Sequence, residues 1–164
     1  GRLTAGVSIR AATPEDVPLV RALIAELAEY ERAPEAAVGT DELIARALFG
    51  TPPHAEAVIA SLDETAAGFA LFFGTFSTWL CRPGIWLEDL FVRPQFRGAG
   101  VGRALLAHVA SIAVARECPR LEWTVLKWNT PAIGFYARLG AVAMDEWQTM
   151  RLSGDALGAV AGGT

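Results

Sequence analysis

Apolar residues recur at three- and four-residue spacing through Val17, Val20, Ile24 and Leu27, which predicts an amphipathic helix ending near Tyr30, before Pro34. Its start is marked by Thr13-Pro14-Glu15-Asp16: a Thr N-cap, Pro at the first helical position and acids in the first turn. A shorter helix is predicted from Thr40-Asp41-Glu42 to about Phe49, with Leu43, Ile44, Ala47 and Leu48 as its stripe and Pro52 and Pro53 beyond its end. A third begins near Val101, uses Val101, Leu105, Val109 and Ile112, and stops near Cys118-Pro119. Between the helices the pattern changes to strands. Val7 to Arg10 reads as a short strand, and Ala57–Ser61 and Ala67–Phe76 flank the polar turn Asp63-Glu64 as a hairpin. Ser77–Gly84 is predicted as a loop carrying Trp79, and Ile85–Val92 as a strand pairing back onto the hairpin. Leu121, Trp123 and Val125 alternate with Glu122, Thr124 and Leu126 in a further strand. Asn129-Thr130-Pro131 opens a short helix that Gly140 ends, and Ala141–Met144 and Trp147–Leu152 read as closing strands. The expected fold is α/β (α+β), with a mostly antiparallel sheet of six to seven strands, as one domain over residues 7–152 and a tail over 153–164 whose end frays.

Length and composition narrow the class. A chain of 164 residues suits one domain with a real core. The net charge of −4 argues against nucleic acid as partner and favours a cation. Cys81 and Cys118 lack a Cys-x-x-Cys or secreted-disulfide spacing and are expected to be packing residues in a reducing compartment. The N-terminus lacks the apolar core of a signal peptide, and Gly1 without an initiator Met is expected to mark a processed end. The longest apolar run, residues 66–76, is broken by Gly68 and Gly74 and is too short to cross a membrane. A cytoplasmic protein is expected. Two scattered histidines, one of them His108 within the third helix, and unpaired acids make no metal-site pattern.

The most informative stretch is Ile85–Leu106, a strand, a basic glycine-rich turn and a helix start. The first N–H groups of a helix lack intrahelical partners and sit at the positive end of its dipole, so they suit phosphate. Gly98, Gly100 and Gly102 remove side chains that would hold a diphosphate away, and Arg97 and Arg103 add charge. A P-loop is excluded, because no Gly-Lys-Ser or Gly-Lys-Thr occurs. A dinucleotide fingerprint is excluded as well, since its third glycine would fall on Arg103 or Leu105.

What is left, Arg97-x-x-Gly100-x-Gly102 after Leu90-Phe91-Val92-Arg93-Pro94, resembles the acetyl-CoA signature of the GNAT N-acetyltransferases. Leu87-Glu88-Asp89-Leu90-Phe91-Val92, Lys127-Trp128-Asn129, Phe135-Tyr136-Ala137-Arg138-Leu139-Gly140-Ala141 and Glu26-Leu27-Ala28-Glu29-Tyr30-Glu31 are similar to blocks of the diamine (spermidine/spermine) acetyltransferases. The resemblance implies a sheet with splayed central strands and helices on both faces, and acetyl-CoA as cofactor. It implies cofactor contacts at Leu90, Phe91, Val92, Arg97, Gly98, Ala99, Gly100, Val101, Gly102, Arg103, Asn129, Ala132 and Tyr136. It also implies substrate contacts at Tyr30, Glu31, Glu88 and the Glu122-Trp123-Thr124 strand, and a homodimer. After Gly140 the sequence departs from those enzymes, reading Met144-Asp145-Glu146-Trp147 in a shortened segment.

Acetyl transfer to an amine sets three chemical requirements. An aliphatic ammonium, with a pKa of about 10.4, needs help to lose its proton. Glu88 and Asp89 are candidates; as neighbours on a regular strand they are expected to face opposite sides of the sheet. The resemblance favours Glu88. The departing thiolate needs a proton, for which Tyr136, a phenol protonated at neutral pH, is the candidate acid. Asn129 and Tyr136, seven positions apart, would share one side of a short helix. Trp86, Trp147 and Tyr30 could add cation–π contacts beside the acids Glu31, Glu88, Asp89, Glu122, Asp145 and Glu146. The expected function is acetylation of a primary amine on a small cationic, polyamine-like substrate. A peptide or protein acetyltransferase and a non-catalytic CoA-binding module are the alternatives.

Overall fold

The computed structural model describes residues 6–162. The expectations for Gly1 and for the extreme C-terminus lie outside that span. The chain divides into two compact units, the first ending at Thr124 and the second beginning at Val125.

In the first unit, strands β1 (Val7–Ala11), β2 (Glu56–Leu62), β3 (Thr65–Ser77), β4 (Arg82–Val92) and β5 (Leu121–Glu122) lie side by side in sequence order. The first four are antiparallel, and β5 joins β4 in parallel after the crossover through α3 (Val101–Ala115). The β2–β3 hairpin turns on Asp63 and Glu64, both in the left-handed region at φ 48° and 69°, which matches the twist of the strands. The next hairpin is longer than expected: Thr75, Phe76 and Ser77 pair with Gly84, Pro83 and Arg82, so the predicted loop shrinks to residues 78–81. Gly84 permits this, since a Cβ there would come within 2.7 Å of the Thr75 hydroxyl oxygen.

Helix α1 (Val17–Tyr30) follows a single 3-10 turn, Pro14–Asp16. Asp16 accepts from the Thr13 N–H at 2.7 Å and from two nitrogens of Arg10 at 2.6 and 2.8 Å, which ties the helix entry to β1. Helix α2 (Asp41–Phe49) is capped by Thr40, whose hydroxyl accepts from the Leu43 N–H at 3.2 Å. Val17 and Val20 of α1 pack with Ile44 and Leu48 of α2 over Ala57 and Ile59 of β2. Leu23 and Leu27 pack over Phe69 of β3 and Phe91 of β4. Full burial of Leu23 and Phe69 stabilises by about 1.5–3 kcal/mol each. Helix α3 covers the other face: a Cβ on Gly102 would touch Val92, whose neighbour Phe91 faces α1. Val101, Leu105 and Val109 are fully buried there.

Five strands form among the described residues, not six or seven. Of the stretch 121–126 only Leu121–Glu122 pairs, and 141–144 and 147–152 enter no sheet. Alternation prepares a segment for a sheet but needs a partner edge to become a strand. Val142, Met144 and Met150 stay exposed. The second unit instead contains α4 (Thr130–Arg138) and, within the tail over 153–164 for which no helix was predicted, α5 (Gly154–Val160). Asp155 in its first turn and the helix-forming Ala156, Leu157 and Ala159 account for α5.

Candidate active site

The site begins with an irregularity in β4. Asp89 pairs with Leu71 and Leu87 with Phe72, so Glu88 is an extra residue with no cross-strand partner, a β-bulge. Cross-strand partners share a face, and Leu71 and Phe69 pack on the α1 side, so Asp89 and Phe91 lie on that side too. Leu87, opposite Phe72, lies on the far face, which returns Trp86 to the α1 side. The Trp86 indole N–H then donates to the Glu88 carboxylate at 2.9 Å. The bulge thus sets Trp86, Glu88 and Asp89 on one side, against the expectation that Glu88 and Asp89 would be separated by the sheet. Strict alternation fails because the inserted residue resets the pleat.

Glu31, just past the C-terminal end of α1, completes a group of three acids. Burial, then the charges of Glu88 and Glu31, push the Asp89 carboxyl up to about 7. Burial and the charge of Glu88 likewise raise Glu31. Packing like charges against a half-buried wall costs free energy in an isolated protein, and a cation placed among them relieves it. Tyr30 stands at the edge of this group, 6.4 Å from Phe91 between ring centroids, with the Arg97 guanidinium 4.7 Å over its face.

Beyond the acids lies the cradle. Gly98 and Gly100 take φ of 84° and 81°, a region costly for other residues, and Gly100 is the N-cap of α3. A Cβ on Gly98 would meet nothing within 4 Å, so the turn is open in front of the helix. The first bond of α3 runs from the Ala104 N–H to the Gly100 carbonyl, and the N-cap, a glycine, supplies no side-chain cap to the N–H groups that precede Ala104 in the first turn. Leu90, Phe91 and Val92 pair with Ala70, Phe69 and Gly68 on one edge. On the opposite edge β5 reaches only Ile85 and Trp86, so among the described residues the sheet does not continue past the bulge. That edge and the amides of the α3 entry fit a diphosphate attached to an extended amide-bearing arm.

Arg93 stands in the Leu90–Pro94 stretch read from the sequence, but no role was assigned to it there. Its guanidinium donates to Glu26 at 2.9 and 3.0 Å and to the Ala66 carbonyl at 3.1 Å, tying the end of β4 to α1 and β3. Its only cue is its place in Val92-Arg93-Pro94; nothing marked Glu26 as its partner.

Glu122 is half-buried in β5, Trp123 half-buried and Thr124 exposed, at the end of the first unit. In the second unit, Asn129 caps α4 by accepting from the Ala132 N–H at 3.4 Å. Tyr136 lies on α4, half-buried, its ring 5.5 Å from that of Phe135. Trp147 is largely exposed. Cys81, expected to pack, is exposed at φ 52° in the β3–β4 turn. Among the described residues no group of three His, Cys, Asp or Glu could hold a metal ion, and no helix is long and apolar enough to cross a membrane.

The profile of the family described as Acetyltransferase (GNAT) family matches residues 19–141. Thialysine N-epsilon-acetyltransferase of Bos taurus is 33% identical over 95% of this chain and 98% of its own length. L-ornithine N5-acetyltransferase of Arabidopsis thaliana is 32% identical over 93% of this chain and 86% of its own. Among solved structures, an integron cassette protein from the mobile metagenome of V. cholerae is similar with a TM-score of 0.80, at 27% identity over 95% of this chain and 98% of that one.

Proposed function

The chain belongs to the GNAT acetyltransferase family, and from that membership we propose that it transfers the acetyl group of acetyl-CoA directly to a primary amine of a small cationic substrate. Relatives named for thialysine and ornithine act on short side chains ending in an amine, so an amino-acid-like diamine is the substrate class we favour, with polyamines as the longer alternative. The observation that carries the proposal is the bulge that sets Glu88 and Asp89 with Glu31, on the strand whose continuing edge leads to the α3 cradle.

The backbone of Leu90, Phe91 and Val92 and the turn Arg97–Arg103 would hold acetyl-CoA, with Asn129 and Ala132 as further contacts. Acetyl-CoA, when bound, supplies an acetyl group activated as a thioester. Glu31, Glu88 and Asp89 would bind the ammonium, with Tyr30, Trp86, Glu122, Trp123 and Thr124 of the same unit as further contacts; Trp147 is proposed as a contact from the sequence alone. Glu88 or Asp89 accepts its proton; the Asp89 carboxyl, pushed up to about 7, is a better match to an amine than one at its ordinary 3.8. Tyr136 keeps a phenolic proton for the departing sulfur. We further propose a cytoplasmic homodimer, which sedimentation and cell fractionation would check.

The test is thiol release from acetyl-CoA over a panel containing thialysine, ornithine, lysine, spermidine and a lysine peptide. Turnover with the small diamines is expected. Coenzyme binding without turnover of any amine would reduce the protein to a binding module, and preference for the peptide would move it to the protein acetyltransferases.

A further inference from the structure

The coenzyme-binding edge proposed above has an unusual mechanical problem. A strand interrupted by a bulge is bent and locally unpaired, and past Trp86 its outer edge is not supported by β5. Its direction after Glu88 is fixed by the ladder to β3, and that ladder ends at Val92↔Gly68. Within a few residues the chain must turn through Pro94–Phe96 and present the cradle. At this last point of support stands Arg93.

Its backbone N–H and its guanidinium are held by hydrogen bonds to three residues, Ala67, Ala66 and Glu26. The Arg93 N–H donates to the Ala67 carbonyl at 2.8 Å, extending the ladder by one residue. The guanidinium Nη1 donates to the Ala66 carbonyl at 3.1 Å. Nε and Nη2 form a fork on Glu26 at 3.0 and 2.9 Å, across 67 residues of sequence. Arg93 side-chain exposure is 21% and that of Glu26 37%, so the pair is partly shielded from water, where a planar two-point contact fixes direction as well as distance. From the far side of the turn, the Arg97 Nε donates back to the Val92 carbonyl at 3.2 Å, so the cradle is tied to the residue that Arg93 anchors.

We propose that Glu26 and Arg93 form a positioning pair for the coenzyme: they aim the Leu90–Val92 edge and the entry of α3 without touching the ligand. This rests on the acetyl-CoA function proposed above. A misplacement of about 1 Å in a binding edge is enough to cost one to two orders of magnitude. Lysine at 93 would keep the charge but lose the fork and the third direction of donation.

The experiment titrates coenzyme A into the native protein, Arg93→Lys, Glu26→Gln and the double variant by calorimetry, with steady-state kinetics alongside. Each single change should weaken coenzyme binding and raise KM for acetyl-CoA roughly tenfold, with KM for the amine unchanged. The double variant should lose no more than Arg93→Lys alone, because Glu26 acts only through Arg93. Near-UV circular dichroism should remain native. If Arg93→Lys does not fold, Glu26→Gln, which keeps shape and removes one charge, carries the test. Native coenzyme affinity in the folded variants, with only a lower melting temperature, would reduce the pair to a structural contact. Losses that multiply in the double variant, or an equal rise in KM for the amine, would also overturn the inference. Failure of the native protein to bind coenzyme A would remove the coenzyme function itself, and this pair with it.

Discussion

Asp89 is the residue whose chemistry differs most from its ordinary state. Its carboxyl, raised to about 7 from 3.8, binds a proton in the folded chain over a pH range where the unfolded chain has released it. The folded state therefore holds more protons between those values, and stability falls as pH rises through them, by at most roughly 1.4 kcal/mol per pH unit. Above about 7 both states are ionised and the slope from this group ends. Asp89→Asn should remove that slope and be more stable than the native protein at pH 8; denaturant titrations at several pH values check it. Equal slopes would mean that Asp89 is not desolvated in solution. The same group predicts an acid limb in kcat/KM near neutrality that Asp89→Asn abolishes along with most activity. Tyr136→Phe, by contrast, should lower kcat by about 10²–10⁴-fold while coenzyme affinity changes little. An equal loss of both would make Tyr136 a contact and not an acid. The sequence offered Asp89 as a candidate proton acceptor beside Glu88, but its raised carboxyl was not legible there, because the two read as alternating residues. The bulge that unites them is a register event between β3 and β4, and no local pattern records which residue is left over.

Elements carry the next set of consequences. The helix entries were legible because their signals are local: Thr13 and Pro14, Thr40, and Asn129 stand where they cap or begin helices. The glycines of the α3 entry were legible for the same reason, and their geometry sharpens the prediction. Gly100→Val must force a β-branched residue to φ 81° and place a side chain at the helix mouth. Coenzyme binding should fall below detection in calorimetry, with a stability loss of about 1–2 kcal/mol. Unchanged affinity would remove this turn from the coenzyme site. Gly68 was read only as a break in an apolar run, yet a Cβ there would collide with the Phe91 carbonyl. Gly68→Ala should therefore push β3 from β4 under the proposed coenzyme edge and destabilise by about 1–3 kcal/mol in chemical denaturation. The closing strands were misread for a complementary reason: residues 141–152 have the spacing of strands, but spacing says nothing about whether an edge is available to receive them.

At the scale of the whole molecule, charge and fold act together. The chain carries a net −4, and its candidate amine site concentrates Glu31, Glu88 and Asp89 on one side of a bulged strand. The proposed coenzyme site has the opposite character: helix-entry amides with Arg97 and Arg103. A protein that steers a small dication into an acidic site gains on-rate from long-range attraction, and salt screens this once the Debye length falls to a few ångströms. Raising ionic strength from about 0.05 to 0.5 M should thus depress kcat/KM for a dicationic amine several-fold. For a monocationic amine of similar size the loss should be smaller, because the attraction scales with charge. KM for acetyl-CoA should also rise with salt, through the arginines, but by the same factor whichever amine is used. The discriminating quantity is the ratio of kcat/KM for the two amines, measured at saturating acetyl-CoA across the salt series. A ratio that falls toward one with added salt supports recognition by the acid group as a whole. A ratio independent of salt would mean that the three carboxylates are spectators and that selectivity lies in shape, at Tyr30 and Trp86.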